Sequence, residues 1–263
     1  MQVRRSSSAD AQEGKLLYLA LYLLGAYSEY SGKSTLLLTL LRVLELQSGK
    51  IELDGIDISR VRLDLLRQRC FITVSQDALL LSNETLRFNL DPNASLPEDI
   101  IIDALARTGL WQHFCKRETR KTNGCSEAEA DSAYITTFGE HLILDKKMTM
   151  FRELSVGQCQ LFALCRALIR VSTLRSAGAK PIVLLDEVTS SLDSATESTI
   201  QSIIDMEFTD KGHTVIIVTH RLGVLAERSI PGRDMVALMK DGRLQEVITD
   251  LRPSTLRNLV EKR

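Results

Sequence analysis

Two uninterrupted aliphatic runs, Pro181-Ile-Val-Leu-Leu-Asp186 and Thr214-Val-Ile-Ile-Val-Thr-His220, restrict the folds open to this sequence more than any other feature. Neither alternates polar with apolar residues, so both faces of each must be covered, the condition of a strand inside a parallel sheet flanked by helices. Each ends in polar side chains where the carboxyl edge of such a sheet would lie, and open α/β sheets bind their ligands at that edge. Phe71-Ile-Thr-Val-Ser75, ending at Gln76, predicts a third strand. Amphipathic stretches alternate with these runs, so the sequence predicts an α/β domain with a largely parallel sheet.

Helix starts are signalled by two Ser-x-x-Glu capping boxes, Ser95 to Glu98 before residues 99–106 and Ser194 to Glu197 before residues 198–208. A leucine-rich helix is expected over residues 36–46 and an amphipathic one over 159–171. Near the end, Val236 to Val247 predicts a β-hairpin, because Asp241-Gly242 supplies the positive φ angles of a type I′ turn. Residues 116–133 are polar and almost without large apolar side chains, which predicts a surface loop whose basic cluster, residues 116–121, is a solvated face.

Composition excludes several classes of function. The 263 residues carry 33 Lys+Arg against 34 Asp+Glu, a formal charge of −1, so no overall basic field is available to hold nucleic acid. The longest uncharged apolar run, residues 16–27, falls short of the ~20 residues that a membrane-spanning helix needs. Arg4 and Arg5 ahead of that run imitate a secretory signal, but cleavage after it would remove the strand or helix that must precede Gly32. Five scattered cysteines, none spaced as C-x-x-C, fit reduced thiols better than a disulfide framework or a zinc site.

Chemistry concentrates in three short segments and three further residues. Ser31-Gly32-Lys33-Ser34-Thr35 before a helix has the form of a phosphate-binding loop: helix N-terminal amides hold phosphate oxygens, the lysine ammonium reaches the β- and γ-phosphates, and a serine hydroxyl ligates Mg²⁺. The full pattern G-x-x-x-x-G-K-[ST] wants glycine at position 27, which is Tyr27. Asp186-Glu187 at the end of a strand supplies one carboxylate for Mg²⁺ and a second to deprotonate an attacking water. Leu154-Ser155-Val156-Gly157-Gln158 opens a helix, and its Ser155 and exposed amides offer a second anion site. Gln76, Asp193 and His220 complete the set; singly each reads equally as a strand-end or helix-cap residue.

In order and spacing these segments resemble the nucleotide-binding domains of ABC transporters: Gln76 the Q-loop, residues 154–158 the signature, residues 182–187 the Walker B strand, Ser190-Ser191-Leu192-Asp193 the D-loop and His220 the H-loop. Leu86-Arg-Phe-Asn-Leu-Asp91-Pro92 is further similar to the C subfamily, the multidrug-resistance-associated transporters, and the whole resembles their second nucleotide-binding domain, with fungal texture. The resemblance implies ATP and Mg²⁺ as ligands, with Ser31, Gly32, Lys33, Ser34 and Thr35 binding nucleotide. Ser34, Gln76 and Asp186 would hold Mg²⁺, and Glu187, His220 and Gln76 would be catalytic. Leu154, Ser155, Val156, Gly157 and Gln158 would complete the ATP site of a second nucleotide-binding domain.

It implies a P-loop NTPase core, residues 31–77 and 160–263, with an inserted helical subdomain, residues 78–159, and a C-terminal β-hairpin. The implied partners are a second nucleotide-binding domain and transmembrane domains, at the cytoplasmic face of a plasma or vacuolar membrane; a chain acting alone would be cytosolic. Residues 1–30 are atypical, since Tyr27 and Tyr30 stand where the family has glycine and no adenine-stacking aromatic sits in a recognisable context. Weakened nucleotide binding is expected from that. The expected function is ATP hydrolysis coupled to export of a small molecule; the alternatives are a catalytically impaired domain fragment and a soluble ABC ATPase not tied to transport.

Overall fold

Branched aliphatic residues dominate the central strands because both faces of the sheet are covered. In the computed structural model, which describes residues 2–3, 20–25, 32–115, 142–190, 192–219, 230, 232–249 and 251, the chain divides into two compact units. The first comprises residues 1–76, 171–191 and 198–263, and the second residues 77–170 and 192–197. The sequence-derived boundaries fell at 77/78 and 159/160. The helical unit therefore runs past 159 along the helix that the signature opens, and also takes in residues 192–197.

Among the described residues the first unit has nine strands and a phosphate-loop helix. In chain order these are β1 (Gln2–Val3), β2 (Ala20–Gly25), α1 (Lys33–Leu40), β3 (Glu52–Leu53), β4 (Ile56–Asp57), the short turn α2 (Leu63–Leu65) and β5 (Phe71–Val74). After the second unit come β6 (Ile182–Asp186), β7 (Val215–Thr219), β8 (Met235–Lys240) and β9 (Arg243–Ile248). The large sheet has the order β5-β6-β7-β2-β8-β9, parallel except for β9, which returns antiparallel on β8. The three expected strands are thus present within a residue of their predicted ends. The apolar run that admitted a strand or a helix contains β2, at the middle of the sheet between β7 and β8.

Both Asp-Gly pairs make hairpin turns with positive φ at both residues: 50° and 72° at Asp241-Gly242, as predicted, and 53° and 79° at Asp54-Gly55 between β3 and β4. Leu37 and Leu40 of α1 join Leu66, Ile182, Leu184, Ile216 and Val218 in one apolar core. Burying each such side chain contributes roughly 1.5–3 kcal/mol. Helix α1 ends earlier than the leucine spacing suggested, because Arg42 turns left-handed at φ 50°. Its last carbonyls accept from the backbone amides of Leu41, Arg42 and Val43, and the two carbonyls just beyond it are taken by Arg67, whose guanidinium donates to Leu41 O at 2.9 Å and Arg42 O at 2.8 Å.

The second unit is helical: α3 (Leu86–Leu90), α4 (Glu98–Arg107), α5 (Trp111–Cys115) and the start of α6 (Val156–Ser176). The capping box predicted at Ser95 does not form. The Ser95 hydroxyl and the Leu96 amide go to the Asp91 carboxylate, Glu98 pairs with Arg87, and Pro97, with no N–H to offer, takes the cap position. The second predicted cap lies one residue early. Helix α7 (Ser194–Ile204) starts at Ser194, and Asp193 caps it because its carboxylate reaches three donors, the amides of Ala195 and Thr196 and the Thr196 hydroxyl. The basic loop expected at 116–133 lies outside the described residues.

His213, just before β7, is 1% exposed. Burial pushes its imidazole below the ordinary 6.5, helped by the charges of Arg175, Lys180 and Lys211 and opposed by the Pro181 carbonyl. The folded chain therefore refuses a proton that the unfolded chain accepts, and this contribution to stability is intact above about 6.5 and lost as pH falls below it. The urea midpoint of a His213→Gln variant is expected to fall less between about pH 7.5 and about pH 5.5 than that of the parent; equal slopes would contradict the assignment.

Candidate nucleotide site

Parallel pairing puts the carboxyl ends of four strands side by side. Val74 pairs with Leu185, Asp186 with Val218, and Thr219 with Leu24, so β5, β6, β7 and β2 finish along one edge at successive spacings of about 4.8 Å. The segments singled out in the sequence follow these strands in the chain: Gln76 after β5, Asp186 and Glu187 at the end of β6, and Gly32 to Thr35 after β2, with residues 26–31 outside the described residues. His220, which follows β7, and Ser31 lie outside the described residues, as do Tyr27 and Tyr30.

The phosphate loop meets α1 at Gly32, whose φ of 83° is left-handed. A Cβ there would also come within 2.9 Å of Gly242 Cα in the β8–β9 turn, so only glycine fits on both counts. Having no side chain, Gly32 leaves the start of α1 without a side-chain cap, and no acidic residue stands in the first turn. The first amides of a helix have no intrahelical acceptor and carry the positive end of its dipole, which suits an anion. Lys33 is buried at 4% exposure, whereas Ser34 and Thr35 are exposed.

At the end of β6, Asp186 and Glu187 are half-buried. Glu187 has φ 50°, a left-handed conformation costing roughly 1–2 kcal/mol in a residue with a Cβ. Its amide donates to Val218 O at 3.1 Å and its carbonyl accepts from Ser190 N, so the chain turns sharply as it leaves the sheet. Strain held in place by neighbouring strands is a feature of functional sites.

In the second unit, Leu154 to Gln158 form a reciprocal cap. The Ser155 hydroxyl accepts from Gln158 N at 3.3 Å, and Gln158 Oε1 accepts from Ser155 N at 2.9 Å. The sequence marked Ser155 as part of an anion site; the Ser-x-x-Gln spacing that makes it a cap was equally visible there. Val156 is 61% exposed at the first helical position. Gly157 packs directly on α7: a Cβ would lie 2.6 Å from Thr196 Cγ2 and 3.7 Å from Leu192 Cδ2. The Thr196 amide and hydroxyl hold the Asp193 carboxyl below the usual carboxylate range.

Thr196 thus cannot swing its methyl away without giving up the 2.7 Å bond from its hydroxyl to Asp193. Gly157→Ala is expected to destabilise the chain by ~1–3 kcal/mol despite the better helix propensity of alanine. Adding Thr196→Ser, which removes the methyl and keeps the hydroxyl, should recover most of that loss in urea unfolding.

Comparison with known proteins agrees with this arrangement. The family model for ABC transporters matches residues 23–190, from within β2 to just beyond Glu187. An ABC-type transporter of Gibberella zeae, FG02316, is 33% identical over 217 residues, 82% of this chain and 12% of that protein. The ATP-dependent bile acid permease of Saccharomyces cerevisiae is 35% identical over 219 residues, and ABC transporter C family member 9 of Arabidopsis thaliana 34% over 216, each again covering 82% of this chain and 12% of the relative. The chain spans about an eighth of the length of these proteins. Matched by that family model over residues 23–190 and 33–35% identical to these relatives over 82% of its length, the chain belongs to the ABC transporter family.

Proposed function

We propose that this chain binds MgATP and hydrolyses it as one of a pair of nucleotide-binding domains, the pair driving export of a small molecule through transmembrane domains at the cytoplasmic face of a membrane. The observation that supports the reading is the carboxyl edge shared by β5, β6, β7 and β2, with Asp186 and Glu187 at the end of β6 and Gln76 and Gly32-Lys33 following β5 and β2 in the chain. Among the described residues no helix is long and apolar enough to cross a membrane, so transport requires membrane helices from elsewhere. The bile acid named for the yeast relative is that protein's substrate. Here the reading extends to the class, a small molecule, which membrane helices would select.

In this reading the α1 amides and the Lys33 ammonium hold the β- and γ-phosphates, a buried cation facing polyanionic oxygens. The oxygen donors present, the hydroxyls of Ser34 and Thr35, the Gln76 amide and the Asp186 carboxylate, are hard ligands that suit Mg²⁺, which accepts one or two protein oxygens and completes its shell with phosphate and water. Bound there, Mg²⁺ would neutralise charge on the transferring phosphoryl group. Glu187, turned out of the sheet by its left-handed backbone, accepts the proton of the attacking water. His220 contacts the γ-phosphate. Ser155 and Gly157, with the amides at the start of α6, serve the nucleotide of the partner domain, and Asp193 stands at the corresponding D-loop.

The purified chain is expected to hydrolyse MgATP, with Glu187→Gln lowering kcat by ~10²–10⁴-fold while leaving ATP binding in place. Lys33→Ala is expected to raise the ATP dissociation constant instead. Hydrolysis that survives Glu187→Gln would overturn the assignment of the base.

A further inference from the structure

The reciprocal cap at the head of α6 has a third member that belongs to neither the signature nor any of the motifs above. His113, on α5, lies between two groups: its Nε2 is 3.1 Å from Arg152 O, and its Nδ1 is 3.2 Å from Gln158 Nε2. The polarity of this chain is fixed at both ends by backbone. Arg152 O can only accept, so His113 Nε2 carries a proton and donates. Ser155 N–H can only donate, so Gln158 presents Oε1 to it and turns its NH₂ toward His113. The Nδ1 lone pair of a neutral, Nε2-protonated imidazole is then the acceptor that the Gln158 amide requires.

The ring is held in register for this. His113 meets the buried Phe114 edge-on at 5.3 Å between centroids, and Phe114 meets Phe151, beside Arg152, at 5.0 Å and Phe162 of α6 at 6.1 Å. The aromatic cluster therefore joins α5, the segment entering the signature and the signature helix, with His113 at its polar margin. One imidazole bridges Arg152, in the segment entering α6, and Gln158, in the first turn of α6.

We propose that His113 is a positioning residue for the signature segment: through Nδ1 it fixes the Gln158 amide, and through that amide the Ser155 backbone at the N-terminus of α6. This rests on the reading of residues 154–158 as the part of the chain that serves a partner's nucleotide. His113 acts on Gln158 and touches no nucleotide itself.

The test uses the full chain and two isosteric replacements. Asparagine sets a carbonyl oxygen near the Nδ1 position, and glutamine sets an amide nitrogen near Nε2, so His113→Asn keeps the acceptor for Gln158 whereas His113→Gln keeps only the donor to Arg152. Imidazole ¹⁵N spectra of the parent are expected to show His113 protonated on Nε2 alone at pH 7.5. The Gln158 and Ser155 backbone amides are expected to exchange with solvent at least tenfold faster in His113→Gln than in the parent, and at near-parental rates in His113→Asn. Steady-state hydrolysis should follow the same order in kcat, with ATP affinity unchanged in both variants.

A Nδ1-protonated tautomer, or equal exchange in the two variants, would overturn the proposal. Exchange that separates the variants without any change in kcat would leave the cap assignment standing and overturn the signature's role in hydrolysis, so the two failures are told apart.

Discussion

The register between β6, β7 and β2 is the constraint on which the site depends. A shift of one residue in any of these strands would turn its side chains to the other face and move its carboxyl end by about 3.3 Å along the edge. The pairs Asp186 with Val218 and Leu24 with Thr219 fix that alignment, and a core of Leu37, Leu40, Leu184, Ile216 and Val218 fixes the helix that carries Lys33 to the same sheet. Burial thus sets the chemistry indirectly. The groups that would meet a phosphate chain stand at the ends of apolar strands because apolar packing has already determined where those strands stop.

The helical unit solves a different problem, that of presenting the start of a long helix. Here the apolar part is the Phe114, Phe151 and Phe162 cluster, and the polar part is the Ser155–Gln158 cap with His113 behind it. Gly157 adds a steric condition by bringing α6 against Thr196, whose hydroxyl serves the Asp193 carboxylate. One small residue therefore joins the first turns of two helices that the sequence separates by 39 positions, from 157 to 196.

Much of the sheet was legible because continuous aliphatic runs bounded by polar residues have few alternatives, and the Asp241-Gly242 turn because its backbone demands are local. The strand β2 was less so. Its run, residues 16–27, is apolar on every face, and a strand buried on both sides has no period by which to tell it from a buried helix. The Ser95 box misled because Asp91, four residues upstream, competes for the Ser95 hydroxyl, and Arg87 on the preceding helix competes for Glu98. His113 gave no signal at all: it lies 45 positions from Gln158, and nothing in its own neighbourhood distinguishes it from a surface histidine.

The contact between Gly32 and Gly242 bears on how the molecule is made. The turn that abuts Gly32 follows it by 210 residues in the chain, and β7 and β8, the two strands that enclose β2, also lie far along the sequence from it. Loop closure over such a span is paid for only when the far contacts form. The apolar strand β2 therefore gains the two neighbours that enclose it only when segments far along the chain have folded back onto it.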